Sequence, residues 1–141
     1  MGMHIYVVAE KQFDWEEDDE GNNYLSYNGG NESRCAYRSQ EAAITEARIL
    51  AQACFSEREL FSYSTEIEIE SEDLEAIKEV SGLDEEITLD DEEELRDNWE
   101  ELSTAAQILA WEKAGYSWDH FYKIEEISVR DCMVRAQVGA V

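Results

Sequence analysis

Proline, paired cysteines and long apolar runs are all missing from this 141-residue sequence. The three cysteines, Cys35, Cys54 and Cys132, are widely spaced and form no CxxC pair, which predicts free thiols in a reducing cytosol rather than a disulfide framework. No run of about 18 apolar residues exists, so the sequence predicts no spanning helix. The N-terminal MGMHIYVVAE lacks the basic and apolar regions of a secretory signal, and we expect a cytoplasmic protein.

Catalytic and metal-binding motifs are missing as well. The sequence has no glycine-rich phosphate loop, no GxSxG and no HExxH, and its two histidines share no zinc-ligand spacing with the cysteines. The best calcium-loop alignment places Tyr27 where a bidentate glutamate is required, although a looser divalent-cation site between Asp14 and Glu20 stays open. We therefore predict no cofactor and no enzymatic activity, and keep an enzyme or metal-binding domain as a third hypothesis.

Basic residues are scarce. Lys and Arg together number 11 against 35 Asp and Glu, which gives a formal net charge of −24 at pH 7. A charge of this size argues against nucleic acid or an anionic membrane as a direct ligand. Hydrophobic residues nevertheless make up 43% of the chain and aromatic residues 11%, which is typical of a globular protein. We expect one domain over residues 1–141, with residues 1–3 as an added or starting segment and residues 130–141 as a strand extension or a frayed tail.

Alternation of apolar and polar residues predicts the strands. In residues 61–70, every second residue from Phe61 to Ile69 would be buried, and the residues between them would face water. The turn signal Asn28–Asn31 should join two short strands as a hairpin. The predicted strands are residues 4–9, 24–27, 34–37, 61–70 and 122–129, with an acidic loop at residues 10–21.

Helical spacing and capping residues predict three helices. Ser39 is a suitable N-cap for the first, whose apolar residues recur from Ala43 to Cys54. Ser71 should cap the second helix, and Gly82 should end it. Together with the strands, these helices indicate an α+β fold in which about four or five mainly antiparallel strands carry three helices on one face.

The third predicted helix is long and carries an apolar stripe. Thr88 and Asp91 resemble a capping box, and the helix should continue to Ala114. Trp111 lies opposite the stripe, so it must be covered by a neighbouring helix or must contact a partner. The stripe consists of Leu95, Trp99, Leu102, Ala106 and Leu109.

The acids are concentrated in three acidic segments. Residues 10–20, 66–75 and 84–101 hold seven, six and eleven acids respectively, which is 24 of the 35 in the chain. The helix dipole accounts for acids in a first helical turn. Like charges further along a helix, such as Glu93 and Asp97, cost roughly 0.2–0.5 kcal/mol per pair. Stability alone therefore does not explain this arrangement.

The hypothesis that follows is an anionic surface that imitates a polyanion and binds a basic protein. A DNA mimic would block a nucleic-acid-binding protein, and an immunity-type protein would block a nuclease. Two alternatives stay open: the acidity serves only solubility, or the domain is a structural or regulatory module that dimerises through Trp111 or a strand edge. The predicted contact residues are Asp18, Asp19, Glu66, Glu68, Glu70, Asp90, Glu93, Asp97, Glu100 and Glu101, with Trp111 as the candidate apolar contact.

Overall fold

The structure is a computed structural model that describes residues 4–64 and 66–128. This part of the chain has the predicted α+β class, with three strands, three longer helices and one short helix. The strands are β1 (His4–Glu17), β2 (Asn23–Tyr37) and β3 (Tyr122–Ser128), and the helices are α1 (Gln40–Glu57), α2 (Ser71–Val80), α3 (Glu92–Asp97) and α4 (Thr104–Lys113). Short 3₁₀ turns occur at Leu60–Ser62, Trp99–Glu101 and Trp118–His120.

The sheet is antiparallel and has the strand order β2-β1-β3. β1 pairs with β3 in a register that runs from His4 opposite Ser128 to Glu10 opposite Tyr122. β1 is the central strand and is hydrogen-bonded to both neighbours, although its pairing with β3 covers only its first half.

Fewer strands form than the sequence predicts. The predicted strands 24–27 and 34–37 are parts of the continuous β2, and the alternating segment 61–70 forms no strand where it is described. The prediction of four or five strands is therefore wrong for the described part of the chain. Val129, which was expected to end the last strand, and the expected tail 130–141 lie outside the described residues.

Residue contacts divide the described chain into two compact units. The first unit comprises residues 4–12, 28–51 and 118–128, and the second unit comprises residues 13–27 and 52–117. The first unit therefore contains β3 and most of α1, whereas the second contains α2, α3 and α4.

The first unit has a core of small and aromatic side chains. Its helix begins as predicted, because the Ser39 Oγ accepts a hydrogen bond from the Ala42 N–H at 3.1 Å. This bond satisfies one of the free N–H groups in the first turn of α1. The buried residues of this unit include Val8, Ala9, Ala43, Ala47, Phe121 and Tyr122.

An aromatic cluster forms the centre of the second unit. The side chain of Trp111 is 0% exposed, and its ring stacks on Phe55 with 5.2 Å between ring centroids. Tyr63 and Tyr116 contact the same indole at steeper angles, with centroids 5.4 and 5.2 Å away. Three aromatic rings of the same chain therefore cover Trp111. The second unit also buries aliphatic residues such as Leu60, Ile77 and Leu95.

The chain reverses at residues 18–22 and not at Asn28–Asn31, so the predicted hairpin turn is wrong. β1 continues through most of the expected acidic loop before the reversal. The Asp18 N–H donates to the Asn22 carbonyl at 2.9 Å, and Gly21 has a φ of +86°. A glycine is suited to this position because an L side chain is strained at positive φ.

A local irregularity replaces the expected turn inside β2. Gly29 has a φ of +87°, and the Asn28 Oδ1 accepts a hydrogen bond from the Gly30 N–H at 2.7 Å. A glycine with positive φ inside a strand is typical of a β-bulge. The Asn-Gly-Gly sequence therefore bends β2 without reversing it.

The segment 61–70 contradicts the strand prediction where it is described, and the predicted alternation of burial is clear only in residues 66–70. Ile69 is 6% exposed, whereas Glu68 and Glu70 on either side are exposed. The Ile69 N–H donates to the Glu92 carboxylate at 3.1 Å. This backbone group is therefore satisfied by a side chain and not by a neighbouring strand, so alternation predicted the burial of Ile69 correctly and the strand pairing wrongly.

α2 begins one residue earlier than the sequence predicted. Glu70 occupies its N-cap position without a side-chain hydrogen bond, and Ser71 is the first helical residue, so Ser71 is not the cap. Leu74 and Ile77 are buried as the periodicity predicted. Gly82 has a φ of +74° just past the helix end, as expected of a C-terminal glycine.

The predicted long helix is instead two helices, and its capping box is wrong. Asp91 is the N-cap of α3, because its carboxylate accepts the Glu94 N–H at 2.8 Å. The Thr88 hydroxyl donates to the Glu94 carboxylate at 2.5 Å. Thr88 therefore stabilises the segment that precedes the helix and does not cap it.

Ser103 separates α3 from α4. The preceding Leu102 is extended, with φ −70° and ψ 145°. The Ser103 Oγ accepts the Ala106 N–H at 3.2 Å and donates to the Val80 carbonyl at 2.6 Å. These two bonds favour a new helix start over continuation of the old helix. The predicted stripe is still turned inward, since Leu95, Trp99, Leu102 and Ala106 are buried and Leu109 is half-buried.

Replacement of Ser103 by alanine should lower the free energy of unfolding by about 1–2 kcal/mol, because both bonds of its hydroxyl are lost. Urea unfolding followed by circular dichroism measures this change. Ser103→Thr keeps a hydroxyl and is the matched control, for which a much smaller loss is expected. Equal stability of Ser103→Ala and the wild type would contradict the assigned role.

Candidate anionic binding surface

The net charge of the protein divides unequally between the two units. Counted by sequence, the second unit has 27 acids and 4 bases, whereas the first unit, with both chain ends included, has 8 acids and 7 bases. The second unit therefore carries almost the whole charge of −24. In the first unit, acids lie beside bases: Arg34 pairs with Glu10 and Glu32, Lys123 with Glu125, and His4 with Glu126.

The loop between β1 and β2 is built on the Asp18 side chain. The Asp18 Oδ1 accepts hydrogen bonds from the N–H groups of Glu20 at 3.0 Å and Asn22 at 2.8 Å. A side chain that caps two backbone donors in this way stabilises a tight turn. Asp18 is half-buried, and the loop presents the exposed Asp19 and Glu20 to water.

The first and second acidic segments meet at one cavity. The cavity has a volume of about 240 Å³ and is lined by Asp18, Asp19, Glu20, Asn22 and Glu66. Four carboxylates that are separated by up to 48 positions in the sequence therefore line one concave site. Such a concave site lined by charges of one sign concentrates the electrostatic potential.

The second and third acidic segments are joined by the hydrogen bond from the Ile69 N–H to the Glu92 Oε1. Glu66, Glu68 and Glu70 are exposed around this contact. Because Ile69 is buried, the segment that carries these glutamates is held against the start of α3. All three acidic segments are thereby connected within the second unit.

Some acids of the third segment have structural roles. Asp91 caps α3 and Glu92 binds the Ile69 N–H. The Glu94 carboxylate accepts hydrogen bonds from the Thr88 hydroxyl and from the Asp90 N–H. These carboxylates stabilise backbone or side-chain groups, which the sequence pattern did not distinguish from the other acids.

The predicted contact acids, with one exception, have no such structural role. Asp18 is half-buried and structural, whereas the others are exposed. Within residues 4–64 and 66–128 the carboxylates of these other acids accept no hydrogen bond and form no ion pair. They are Asp19, Glu66, Glu68, Glu70, Asp90, Glu93, Asp97, Glu100 and Glu101, and together with Asp18 we refer to them as the anionic surface.

The single arginine of the third segment contacts an aromatic ring and forms no ion pair with an acid of the described chain. The Arg96 guanidinium lies over the Phe61 ring, 4.9 Å from the ring centroid, in a cation–π contact. Both residues line a second cavity of about 230 Å³ with Asn22 and Asn23. Asn22 lines both cavities, so this arginine and aromatic pair lies beside the four carboxylates.

The exposed tryptophan beside the acids is Trp15, whereas the candidate contact Trp111 is not exposed. Trp111 is fully buried and offers no surface to a partner, which corrects its place as the candidate apolar contact. Trp15 in β1 is 62% exposed. Sequence reasoning missed it because β1 was expected to end at Ala9, although an indole amid seven acids in residues 10–20 was a visible signal.

The phenol of Tyr24 reports the electrostatic potential at the hairpin. Its hydroxyl donates to the Glu16 carboxylate at 3.3 Å. The pKa of Tyr24 is raised above its ordinary value, first by the negative charge of Glu16, then by burial and the hydrogen bond, and further by Asp18 and Asp19. Charge on several carboxylates therefore acts on one phenol.

Residues 4–64 and 66–128 contain neither a metal-binding cluster nor a helix that could span a membrane. No group of three or more His, Cys, Asp or Glu side chains there could hold a metal ion, and this includes the region Asp14–Glu20. Neither Cys35 nor Cys54 forms a disulfide bond in this part of the chain, and Cys132 lies outside the described residues. In the same part of the chain, no helix has the length and apolar character needed to cross a membrane.

Comparison with known proteins assigns no relative. A scan against protein-family models gives no match, and searches of the curated proteins and of the solved structures find no similar protein.

Salt should lower the pKa of Tyr24 toward its ordinary value, because the largest cause of the shift is Coulombic and is screened by ions. The pKa of Tyr116, which is raised mainly by burial, should change little. Phenol titrations by NMR at about 0.05 and 0.5 M salt measure both values. The variant Tyr24→Phe identifies the Tyr24 signal. A Tyr24 pKa that does not change with salt would contradict the negative electrostatic potential proposed for the hairpin.

The same shift predicts a loss of stability at alkaline pH. The folded-state pKa of Tyr24 lies above that of the unfolded chain, so protonated Tyr24 contributes stability that is fully present below about pH 10. This contribution is lost as the pH rises through the raised pKa. Urea unfolding at several alkaline pH values should show a smaller loss for Tyr24→Phe than for the wild type.

Proposed function

We propose that this protein is a non-catalytic inhibitor that binds a basic nucleic-acid-binding protein or nuclease through its anionic surface. The observation that supports this function is the concentration of net charge in the second unit, which contains 27 acids and only 4 bases. Its predicted contact acids, with the exception of Asp18, are exposed and have no hydrogen-bond or ion-pair partner in the described chain. Cytoplasmic location is part of the proposal, since neither Cys35 nor Cys54 forms a disulfide bond within the described residues.

The stability cost of the surface supports a role in recognition. Glu93 and Asp97 are four positions apart on α3, and a like-charge pair of this kind costs roughly 0.2–0.5 kcal/mol. A base at either position would remove this cost. A positively charged partner would relieve the same repulsion, because each carboxylate would then gain an opposite charge.

The mechanism of inhibition is occupation of a phosphate-binding groove. Basic residues that normally contact nucleic-acid phosphates would contact these carboxylates instead. Long-range attraction would speed encounter, and the complex would weaken as salt rises. The cavity lined by Asp18, Asp19, Glu20 and Glu66 offers several carboxylates to one cationic side chain.

Charge reversal tests the proposal. The triple variant Glu93→Lys, Asp97→Lys, Glu100→Lys should bind a basic partner at least about tenfold more weakly, because like charges would then face the partner. These three carboxylates hold no other group in the described chain, so the fold should survive, which circular dichroism checks. The partner is first captured from native lysate at about 0.05 M salt, eluted at about 0.5 M and tested for displacement by duplex DNA.

A matched control separates local recognition from total charge. The triple variant Glu41→Lys, Glu57→Lys, Glu112→Lys changes the net charge by the same amount at exposed acids outside the acidic segments. Its affinity for the captured partner should stay within about threefold of the wild type, as expected for charges at or beyond the rim of an interface. Equal losses for both variants, or an affinity unchanged by salt, would contradict a specific anionic surface.

A further inference from the structure

We propose that Trp15 is the apolar contact at the centre of partner binding, and that its indole packs against an arginine side chain of the basic partner. This inference rests on the proposed function and adds to it the residue that supplies the short-range contact. It also specifies the chemistry of the partner, because an arginine can satisfy the indole and the neighbouring carboxylates together.

The exposure of Trp15 is unusual within this chain. At 62% it is more exposed than Tyr27, Ile49 and Val80, the other large hydrophobic residues with exposed side chains in the described part. Trp99 and Trp111 are buried and Trp118 is half-buried. The Trp15 indole makes no hydrogen bond and no ring contact within residues 4–64 and 66–128, so neither kind of contact accounts for its position.

β1 presents Trp15 from a well-supported element. Phe13, two residues earlier, packs edge-on against Tyr63 with 5.2 Å between ring centroids, and it also contacts Tyr27 at 6.0 Å. β1 is in addition hydrogen-bonded to β2. A rigid aromatic side chain on a strand loses little conformational entropy on binding, which is a property of residues that dominate protein interfaces.

Carboxylates follow Trp15 in the sequence. Glu16 and Glu17 follow it directly and are exposed, and the loop that begins at Asp18 carries the exposed Asp19 and Glu20. An apolar or anionic partner would be disfavoured here, because it would desolvate or repel these charges. A cationic partner is complementary to them.

Arginine fits this combination better than lysine. Its planar guanidinium stacks on aromatic rings and donates paired hydrogen bonds to carboxylates, whereas the lysine ammonium is a compact and strongly hydrated charge. The protein already contains such a contact, since the Arg96 guanidinium lies 4.9 Å from the centroid of Phe61. Trp15 offers the same kind of ring face to a guanidinium from outside.

Two short peptides with blocked termini, tetra-arginine and tetra-lysine, serve as probes. The wild type should bind tetra-arginine more tightly than tetra-lysine. Trp15→Ala should weaken tetra-arginine binding by about two- to fivefold, as expected for one exposed cation–π contact. Trp15→Phe should retain most of the affinity. Ile49→Ala removes a residue that is 58% exposed in the first unit and is the matched control, with no change expected.

Salt distinguishes this inference from the proposed function. Affinity for both peptides should fall between about 0.05 and 0.5 M salt, while the preference for arginine should persist in the wild type and shrink in Trp15→Ala. Salt-sensitive binding with the same arginine preference in Trp15→Ala would overturn the role of Trp15 alone. If neither peptide binds at low salt, both proposals are overturned. If sedimentation shows a dimer that Trp15→Ala abolishes, Trp15 contacts a second copy of this chain and not an arginine of a basic partner.

Discussion

Burial of the aromatic cluster around Trp111 is the interaction on which the second unit depends, because this packing must outweigh the mutual repulsion of 27 acids. Phe55, Tyr63 and Tyr116 each contact the indole, and such aromatic pairs contribute about 0.5–1.5 kcal/mol beyond the burial of their area. Repulsion between exposed like charges costs only tenths of a kcal/mol per pair, because water screens it. The unit can therefore carry a large surplus of acid, provided that the surplus stays exposed.

The acids of this unit perform two different tasks, and the first makes the second possible. Asp18 and Asp91 hold a turn and a helix start, while Glu92 fixes the backbone at Ile69. These bonds give the acidic segments defined positions. The remaining carboxylates need no intramolecular partner to stay in place, since their backbones are already fixed. A surface of this kind loses little conformational freedom when a partner binds, which favours affinity and specificity.

Local signals in the sequence predicted some of these features and missed others for identifiable reasons. The Ser39 cap and the burial of Ile69 follow from nearest neighbours and periodicity, so they could be predicted. The pairing of residues 61–70 could not, because it depends on whether a strand is available, and Glu92 supplied the acceptor instead. The turn signal at Asn28–Asn31 was misleading, and only the hydrogen bonds to Asp18 identify the place where the chain reverses. The break at Ser103 had a sequence signal in its serine, which the continuous apolar stripe obscured.

If the acids served solubility alone, we would expect the net charge to be distributed over both units. In the first unit Arg34 lies beside Glu10 and Glu32, and the acids and bases nearly balance, so this chain accommodates paired charge where it occurs. An exposed indole would also be a disadvantage for a protein under selection for solubility, because apolar surface promotes association. The two features respond differently to salt, since ions screen carboxylates but do not weaken apolar packing. A surface that combines Trp15 with exposed acids would therefore attract a cationic partner at a distance, and the proposed apolar contact would retain part of the affinity when salt screens that attraction.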